Sequence, residues 1–391
     1  MPNFTFTEIS SPPPYGIARQ ASINNSGTVA FEGFLSRALP PTSIFTADSS
    51  GQTTPIVDNS AVFFQRGLVH APVVTSLNDA GIVAYAQTDL DQNFIPRYNG
   101  VFTSNRKAAI IDSTNSPYSF FWGPAINNKG TVAFLAGQGN PTTGQAGIFT
   151  ISNGTLTNIA DSSGVFSQFN VGFNTIRGNS PLSNYTVPSI NESATVAFNA
   201  GLDVGGQGIF TGNSKGTTTI ADSTGVFDLF SSADINNQGT VAFLAQLDDQ
   251  STGVFTSTNG QITTLVDTSS GFSSFLSDPS LNNQGKVAFQ ATLDNGITGI
   301  FTGSDPIANK VIGVGDELFG STVTNLLITQ QGLNDQGQLS FAVGLADGRE
   351  SIVFAQPVPE PGEGIVLVWA LGIMFILGWR RRMQSAKPNL H

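Results

Sequence analysis

The chain has no cysteine in 391 residues, which excludes disulfides, thiolate metal sites and thiol catalysis and is compatible with export. Its two histidines, His70 and His391, are too few for a clustered-histidine metal centre. His391 is terminal and His70 lies in a long connection, so each reads as a surface or packing residue rather than a catalyst. Charge is scarce as well, at 11% of residues against the usual ~25%. Ser, Thr, Asn, Gln and Gly take its place. Lys and Arg number 16 against 27 acids, and the net charge of −11 argues against nucleic acid, whose phosphates need cations. Before residue 360 no segment sustains a helical period.

What is present is a phrase repeated seven times: an aliphatic residue, Asn, two variable residues, Gly, one variable residue, then Val-Ala-Phe or a relative. It begins at Ile23, Leu77, Ile126, Ile190, Ile235, Leu281 and Leu333. The Asn-to-Asn steps are 54, 49, 64, 45, 46 and 52 residues. The shortest steps suit one four-stranded propeller blade of roughly 40–50 residues. Each phrase reads as a hairpin turn, with Asn bonding backbone amides two residues on and Gly accepting positive φ: Asn24–Gly27, Asn78–Gly81, Asn127–Gly130, Asn236–Gly239, Asn282–Gly285 and Asn334–Gly337. Asn191 begins the fourth copy, where Ala194 replaces Gly; a left-handed backbone there costs on the order of 1 kcal/mol. The alternative is a ring of seven Asn side chains around a ligand.

Each unit also carries Gly-Ile-Phe-Thr or a variant, as at Gly253–Thr256, and an apolar strand ending in Asp. Those aspartates are Asp58, Asp112, Asp161, Asp222, Asp267 and, in a looser copy, Asp316. The recurrent Phe residues read as blade-to-blade core. The last unit lacks its Asp-ending strand, whereas Phe4–Ile9 is a strand with no turn before it. Placed beside Ser351–Ala355, it completes a seventh blade and seals the ring without a long exposed edge. The expected fold is therefore all-β: a seven-bladed β-propeller over residues 1–356 closed by an N-terminal strand, followed by a spacer (357–363), a transmembrane helix with its Arg cluster (364–382) and a tail (383–391). An open solenoid is the rival, and it would need polar capping units.

The order Pro279-Ser280-Leu281-Asn282-Asn283-Gln284-Gly285-Lys286-Val287-Ala288-Phe289 is similar to the Ser-Pro-Asp-Gly repeats of TolB-type propellers. More closely, the chain resembles tandem-repeat surface proteins described by Asn-x-x-Gly-x-x-Ala-Phe, over roughly residues 17–356. That resemblance implies surface display and carries no established activity.

Beyond the repeats, Val358-Pro359-Glu360-Pro361 follows the last strand, and Pro-rich chain here is an extended spacer. Gly364 to Trp379 is uncharged, and Arg380, Arg381 and Arg382 follow at once. As a helix, this stretch spans about 24 Å, somewhat short of a ~30 Å hydrocarbon core, and snorkelling arginines and local thinning cover the gap. The arginines place the C-terminus in the cytoplasm and the propeller outside. Pro-Glu-Pro, a short hydrophobic helix and an Arg cluster in this order resemble the PEP-CTERM sorting signal. The resemblance implies that Pro359, Glu360 and Pro361 are recognised by an exosortase, that the helix is a temporary membrane anchor, and that the protein is released or re-anchored in bacteria making extracellular polysaccharide. Met1 to Arg19 has neither the basic n-region nor the apolar core of a secretion signal, so export is read from the tail.

For chemistry the sequence offers little. No catalytic residue, metal site or cofactor is expected. The recurrent aspartates read as Asx-type strand ends rather than calcium ligands, and Asp89–Asn93 is the nearest approach to a calcium loop. Asp79, Glu192 and Asp335 follow the turn Asn in three of the seven units; if they converge, they form the carboxylates of a polysaccharide hydrolase. The insertion around Asn170 to Tyr185 and the aromatic run Tyr118, Phe120, Phe121, Trp122 are the candidate binding surfaces. The reading that follows is a non-enzymatic, exported propeller at the cell surface or in the extracellular matrix, with polysaccharide or a surface protein as its partner. A secreted hydrolase and a structural coat protein are the alternatives.

Overall fold

A computed structural model describes residues 4–9, 17–34, 43–58, 69–90, 96–139, 144–169 and 187–358. The last strand runs through Pro357, one residue into the expected spacer, and residues 359–391, with the hydrophobic segment and the Arg cluster, lie outside the described residues. Among the described residues no helix is long and apolar enough to cross a membrane.

Seven antiparallel sheets form seven blades. Blade 5 shows the unit: Phe227–Ile235, Val241–Leu247, Thr252–Thr258 and Gln261–Asp267, hydrogen-bonded in chain order. The innermost strand runs into the Asn turn, and the outermost ends in Asp267. Blades 1, 2 and 3 begin with Ile17–Ile23, Val69–Leu77 and Phe120–Ile126. His70 thus sits within a strand rather than in a connection. Blades 4 and 6 split their inner strand in two, as Phe166–Gln168 with Ser189–Ile190 and Phe272–Phe275 with Ser280–Leu281.

Blade 7 is closed by both ends of the propeller. Phe4–Ile9 takes the outermost place, antiparallel to Glu350–Pro357, with Phe4 opposite Pro357 and Ile9 opposite Ile352. Arg349 Nη1 donates to both Glu8 carboxylate oxygens at 2.8 and 2.9 Å, and Ser351 Oγ donates to Glu8 Oε1 at 2.9 Å. Ile9 is fully buried in a cluster shared by blades 7 and 1, with Ile23, Phe31, Phe45, Ile352 and Phe354. Apolar residues on both faces of each sheet are required because every sheet is sandwiched between two others.

In blades 1 to 6 the two recurrent aromatics of the unit meet directly across neighbouring strands, whereas in blade 7 Phe341 faces Val353. Phe31 pairs with Phe45, Tyr85 with Phe102, Phe134 with Phe149, Phe198 with Phe210, Phe243 with Phe255 and Phe289 with Phe301. Their ring centroids are 5.4–6.2 Å apart, within the range where such pairs contribute about 0.5–1.5 kcal/mol beyond area burial. The Gly of Gly-Ile-Phe-Thr is enforced by close approach. A Cβ on Gly147, Gly208, Gly253 or Gly299 would stand 2.6–2.8 Å from a carbonyl oxygen of the outermost strand.

Candidate functional site

The seven Asn turns surround the axis at one end of the ring and line a funnel of about 160 Å³. Each Asn is buried and uses both ends of its amide. The Oδ1 accepts the backbone N–H groups two and four residues on, as from Gln238 and Thr240 to Asn236 at 3.1 and 3.0 Å. The Nδ2 donates to the backbone carbonyl of the corresponding Asn in the next blade. These donations run from Asn24 to Asn78, Asn127, Asn191, Asn236, Asn282 and Asn334 and return to Asn24, all at 2.9–3.2 Å. The same side chain thus shapes the turn and latches neighbouring blades.

A second closed ring lies one residue further on. The backbone N–H of Asn25 donates to Asp79, that of Asp79 to Asn128, of Asn128 to Glu192, of Glu192 to Asn237, of Asn237 to Asn283, of Asn283 to Asp335, and of Asp335 to Asn25. Every distance is 2.7–2.9 Å. The three carboxylates singled out from the sequence therefore share one funnel, but amide-bearing neighbours stand between them. Asp79 also accepts from the side-chain amides of Asn25 and Asn128, at 3.1 and 2.7 Å. Asp335 accepts from those of Asn25 and Asn283, each at 2.9 Å. The position looked variable in sequence. Its common feature, missed there, is a side-chain oxygen acceptor in all seven units.

Beneath these rings the symmetry breaks. Two residues before each Asn stand Ser22, Ser76, Ala125, Ser189, Asp234, Ser280 and Gly332. Four of them accept a backbone N–H from the next blade: Ser76 from Ile126, Ser189 from Ile235, Asp234 from Leu281 and Ser280 from Leu333. Asp234 also receives the Ser189 hydroxyl at 2.5 Å and its neighbour Ile235 N–H at 3.0 Å. Burial nevertheless dominates and pushes its carboxyl from the usual 3.8 up to about 7.

The inner strand of blade 7, Ser321–Leu333, carries a larger irregularity. Ile328 faces Phe341 and Leu333 faces Leu339, so a Thr329–Gly332 bulge projects at the axis. The Thr329 hydroxyl donates to Ala21 O in blade 1, and Gln330 Nε2 donates to Ala233 O in blade 5. Gln330 Oε1 is buried in the funnel without a hydrogen-bond partner.

The aspartates at strand ends form local caps. Asp112, Asp161, Asp222 and Asp267 each accept the N–H and hydroxyl of the Ser or Thr two residues on. Asp316 differs, pairing with Lys310 Nζ at 2.9 Å and Gly313 N–H at 2.7 Å. The Ser hydroxyl holds the Asp161 and Asp267 carboxyls below their usual range. Among the described residues no group of three His, Cys, Asp or Glu side chains could hold a metal ion. The aromatic run forms no platform. Alternation along Phe120–Ile126 sends Phe121 into the core between blades 2 and 3, joined by Tyr118, and sends Phe120 and Trp122 against the core between blades 3 and 4. The 170–185 insertion, residues 91–93, and Pro359, Glu360, Pro361, Arg380, Arg381 and Arg382 lie outside the described residues.

The fold and its axial rings define a seven-bladed propeller whose blades are tied together at the funnel. Residues 106–322, more than half of the chain, match DUF7453, a family of unknown function, and the chain belongs to that family. No curated protein matches it. Among solved structures, oligogalacturonate lyase from Vibrio parahaemolyticus is similar with a TM-score of 0.50 and 10% identity, over 92% of this chain and 97% of the lyase. An inactive virginiamycin B lyase from Staphylococcus aureus with quinupristin gives a TM-score of 0.48 and 11% identity, over 91% and 100%. YCF48 from Cyanidioschyzon merolae gives 0.42 and 13%, over 90% and 98%. At such identities the likeness is one of fold alone.

Proposed function

We propose that the protein is an exported, non-enzymatic interaction module of the cell surface or extracellular matrix, delivered by a C-terminal PEP-CTERM-type signal. The observation that carries the non-enzymatic part is the use already made of the funnel carboxylates. Asp79, Glu192 and Asp335 each accept a backbone N–H from the preceding blade, so their alignment serves the ring. A hydrolase would need two of them free to protonate a leaving group and to activate water or attack. Export rests on the order Pro359-Glu360-Pro361, hydrophobic segment, Arg380-Arg381-Arg382. In this reading residues 364–382 anchor the chain in the membrane and an exosortase-type enzyme acts near Pro361. Polysaccharide or a surface protein is the partner of the propeller.

Fractionation of the native host tests it. The propeller is expected outside the cell and shortened by its tail. Intact chain confined to the cytoplasm would contradict the proposal. Replacing Pro359 and Pro361 is expected to leave folding intact and trap the full-length protein in the membrane; unchanged processing would count against the sorting signal.

A further inference from the structure

Blades 3, 4 and 5 join their two outer strands through two-residue turns, at 153–154, 214–215 and 259–260. Blade 2 departs from this. Residues 104–110 separate its third strand from an outermost strand cut down to Ile111–Asp112. Beside this shortened strand a cavity of about 260 Å³ opens between blades 2 and 3. Its apolar wall includes Ile82, Ile126, Val132 and Ile151, all from the core shared by those blades. Its rim is polar: Asn105 and Arg106 from the long turn, Lys129 from the third Asn turn and Asn153 from the tight turn of blade 3.

The rim is unusual for this molecule. The chain has only 16 Lys and Arg residues, yet Arg106 and Lys129 line this groove from two neighbouring turns, with Lys107 next in sequence to Arg106. Lys310 and Arg349 are neutralised by acids, whereas Arg106 and Lys107 make no ion pair among the described residues. The side-chain amides of Asn105 and Asn153 are likewise unused there. Lys129 Nζ is held by Glu192 O at 2.6 Å and keeps further donors available.

We propose that this groove binds a carboxylate-bearing sugar, one hexuronate ring at a time. The guanidinium fork of Arg106 matches a carboxylate, and Lys129 adds a second positive charge. The Asn105 and Asn153 amides offer both donors and acceptors to ring hydroxyls. The isoleucines and Val132 receive the C–H face of the ring, with no aromatic platform required. The volume lies just below the ~300 Å³ at which ordinary ligand pockets begin, which suits one sugar ring. This deepens the surface-module reading by naming a ligand class, and rests on it only for where the sugar is met.

The test is titration of the full-length chain with sodium glucuronate, glucose and acetate, followed by NMR or calorimetry. Glucuronate is expected to bind with a Kd on the order of 1 mM, glucose not at all, and acetate at least tenfold more weakly. Arg106→Gln is expected to weaken glucuronate binding at least tenfold with an unchanged melting temperature. Asn153→Asp, tolerated at that residue's φ of 49°, puts a like charge on the rim and is expected to abolish binding. No glucuronate response, equal binding of glucose or acetate, or full retention by both variants would overturn the proposal. Cleavage of an oligoglucuronide by the same sample would support the ligand class while contradicting the non-enzymatic reading, so the two fail separately.

Discussion

Two layers of the same funnel differ sharply. In the layer of the Asn turns, all seven blades make the same two inter-blade bonds. One layer deeper, the equivalent positions hold four serines, an alanine, an aspartate and a glycine, and only four of them reach the next blade. Repetition marks the layer that holds the ring shut. Departure from it marks where individual residues bear a desolvation cost or fill the axis, as Asp234 and Gln330 do. A carboxylate in the upper layer is one acceptor among seven. In the lower layer it is a buried carboxyl that desolvation keeps protonated up to about pH 7.

The largest expected effect comes from opening the ring on which the upper layer depends. Deleting residues 1–9 removes the strand opposite Glu350–Pro357, the buried Ile9 and the Glu8 contacts to Arg349 and Ser351. The melting temperature is expected to fall by at least about 10 °C, and an unaltered value would refute the closure. Next, Asn282→Ala is set against Ser280→Ala in the same blade. The first loses two turn bonds and a latch, about 3 kcal/mol, and the second one acceptor, about 1 kcal/mol. Equal losses in denaturant unfolding would erase the distinction between the layers.

The lower layer also carries a pH signature. Because folding raises the Asp234 pKa to about 7, the native state binds more protons than the unfolded state between about pH 4 and 7. Its contribution to stability is therefore full below the unfolded value and is lost as pH rises through 7, a span on the order of 4 kcal/mol. The Asp161 and Asp267 caps act oppositely: their contribution is present above the unfolded carboxylate value and is lost as pH falls through their lowered native values. Asp234→Ser restores the residue used by four other blades. It is expected to raise the melting temperature by a few degrees at pH 8, by about 1–2 kcal/mol, and to give no gain at pH 4. The reverse pattern would show that Asp234 is held as a carboxylate. Smallest is Ala194→Gly in the upper layer. Ala194 sits at φ 57°, where the other six units have Gly at 73–80°; restoring Gly is expected to add about 0.5–1 kcal/mol in the same unfolding assay.

The blade count and the paired aromatics were legible because each repeats with the unit and each has one physical cause, burial between sheets. The open strand Phe4–Ile9 was legible because the last unit lacked its own outer strand. The axial rings were not. An Asn that makes a good turn gives no sign that its other end crosses to the next blade, and the acceptor position mixes Asn, Asp and Glu, which differ in charge but share an oxygen. Thr329–Gly332 departs from the repeat altogether, so no comparison of units could place Gln330 at the axis. The groove of Arg106 and Lys129 joins residues from two blades and depends on a shortened strand that sequence spacing does not reveal.

Native-state hydrogen exchange at the turn amides of Asn25, Asp79, Asn128, Glu192, Asn237, Asn283 and Asp335 tests the central claim most directly. These residues sit at turn tips, where unbonded amides would exchange freely. The ring predicts that all seven are protected together, at least about a thousandfold, and open only when neighbouring blades separate. Rapid, independent exchange at these seven sites would contradict it.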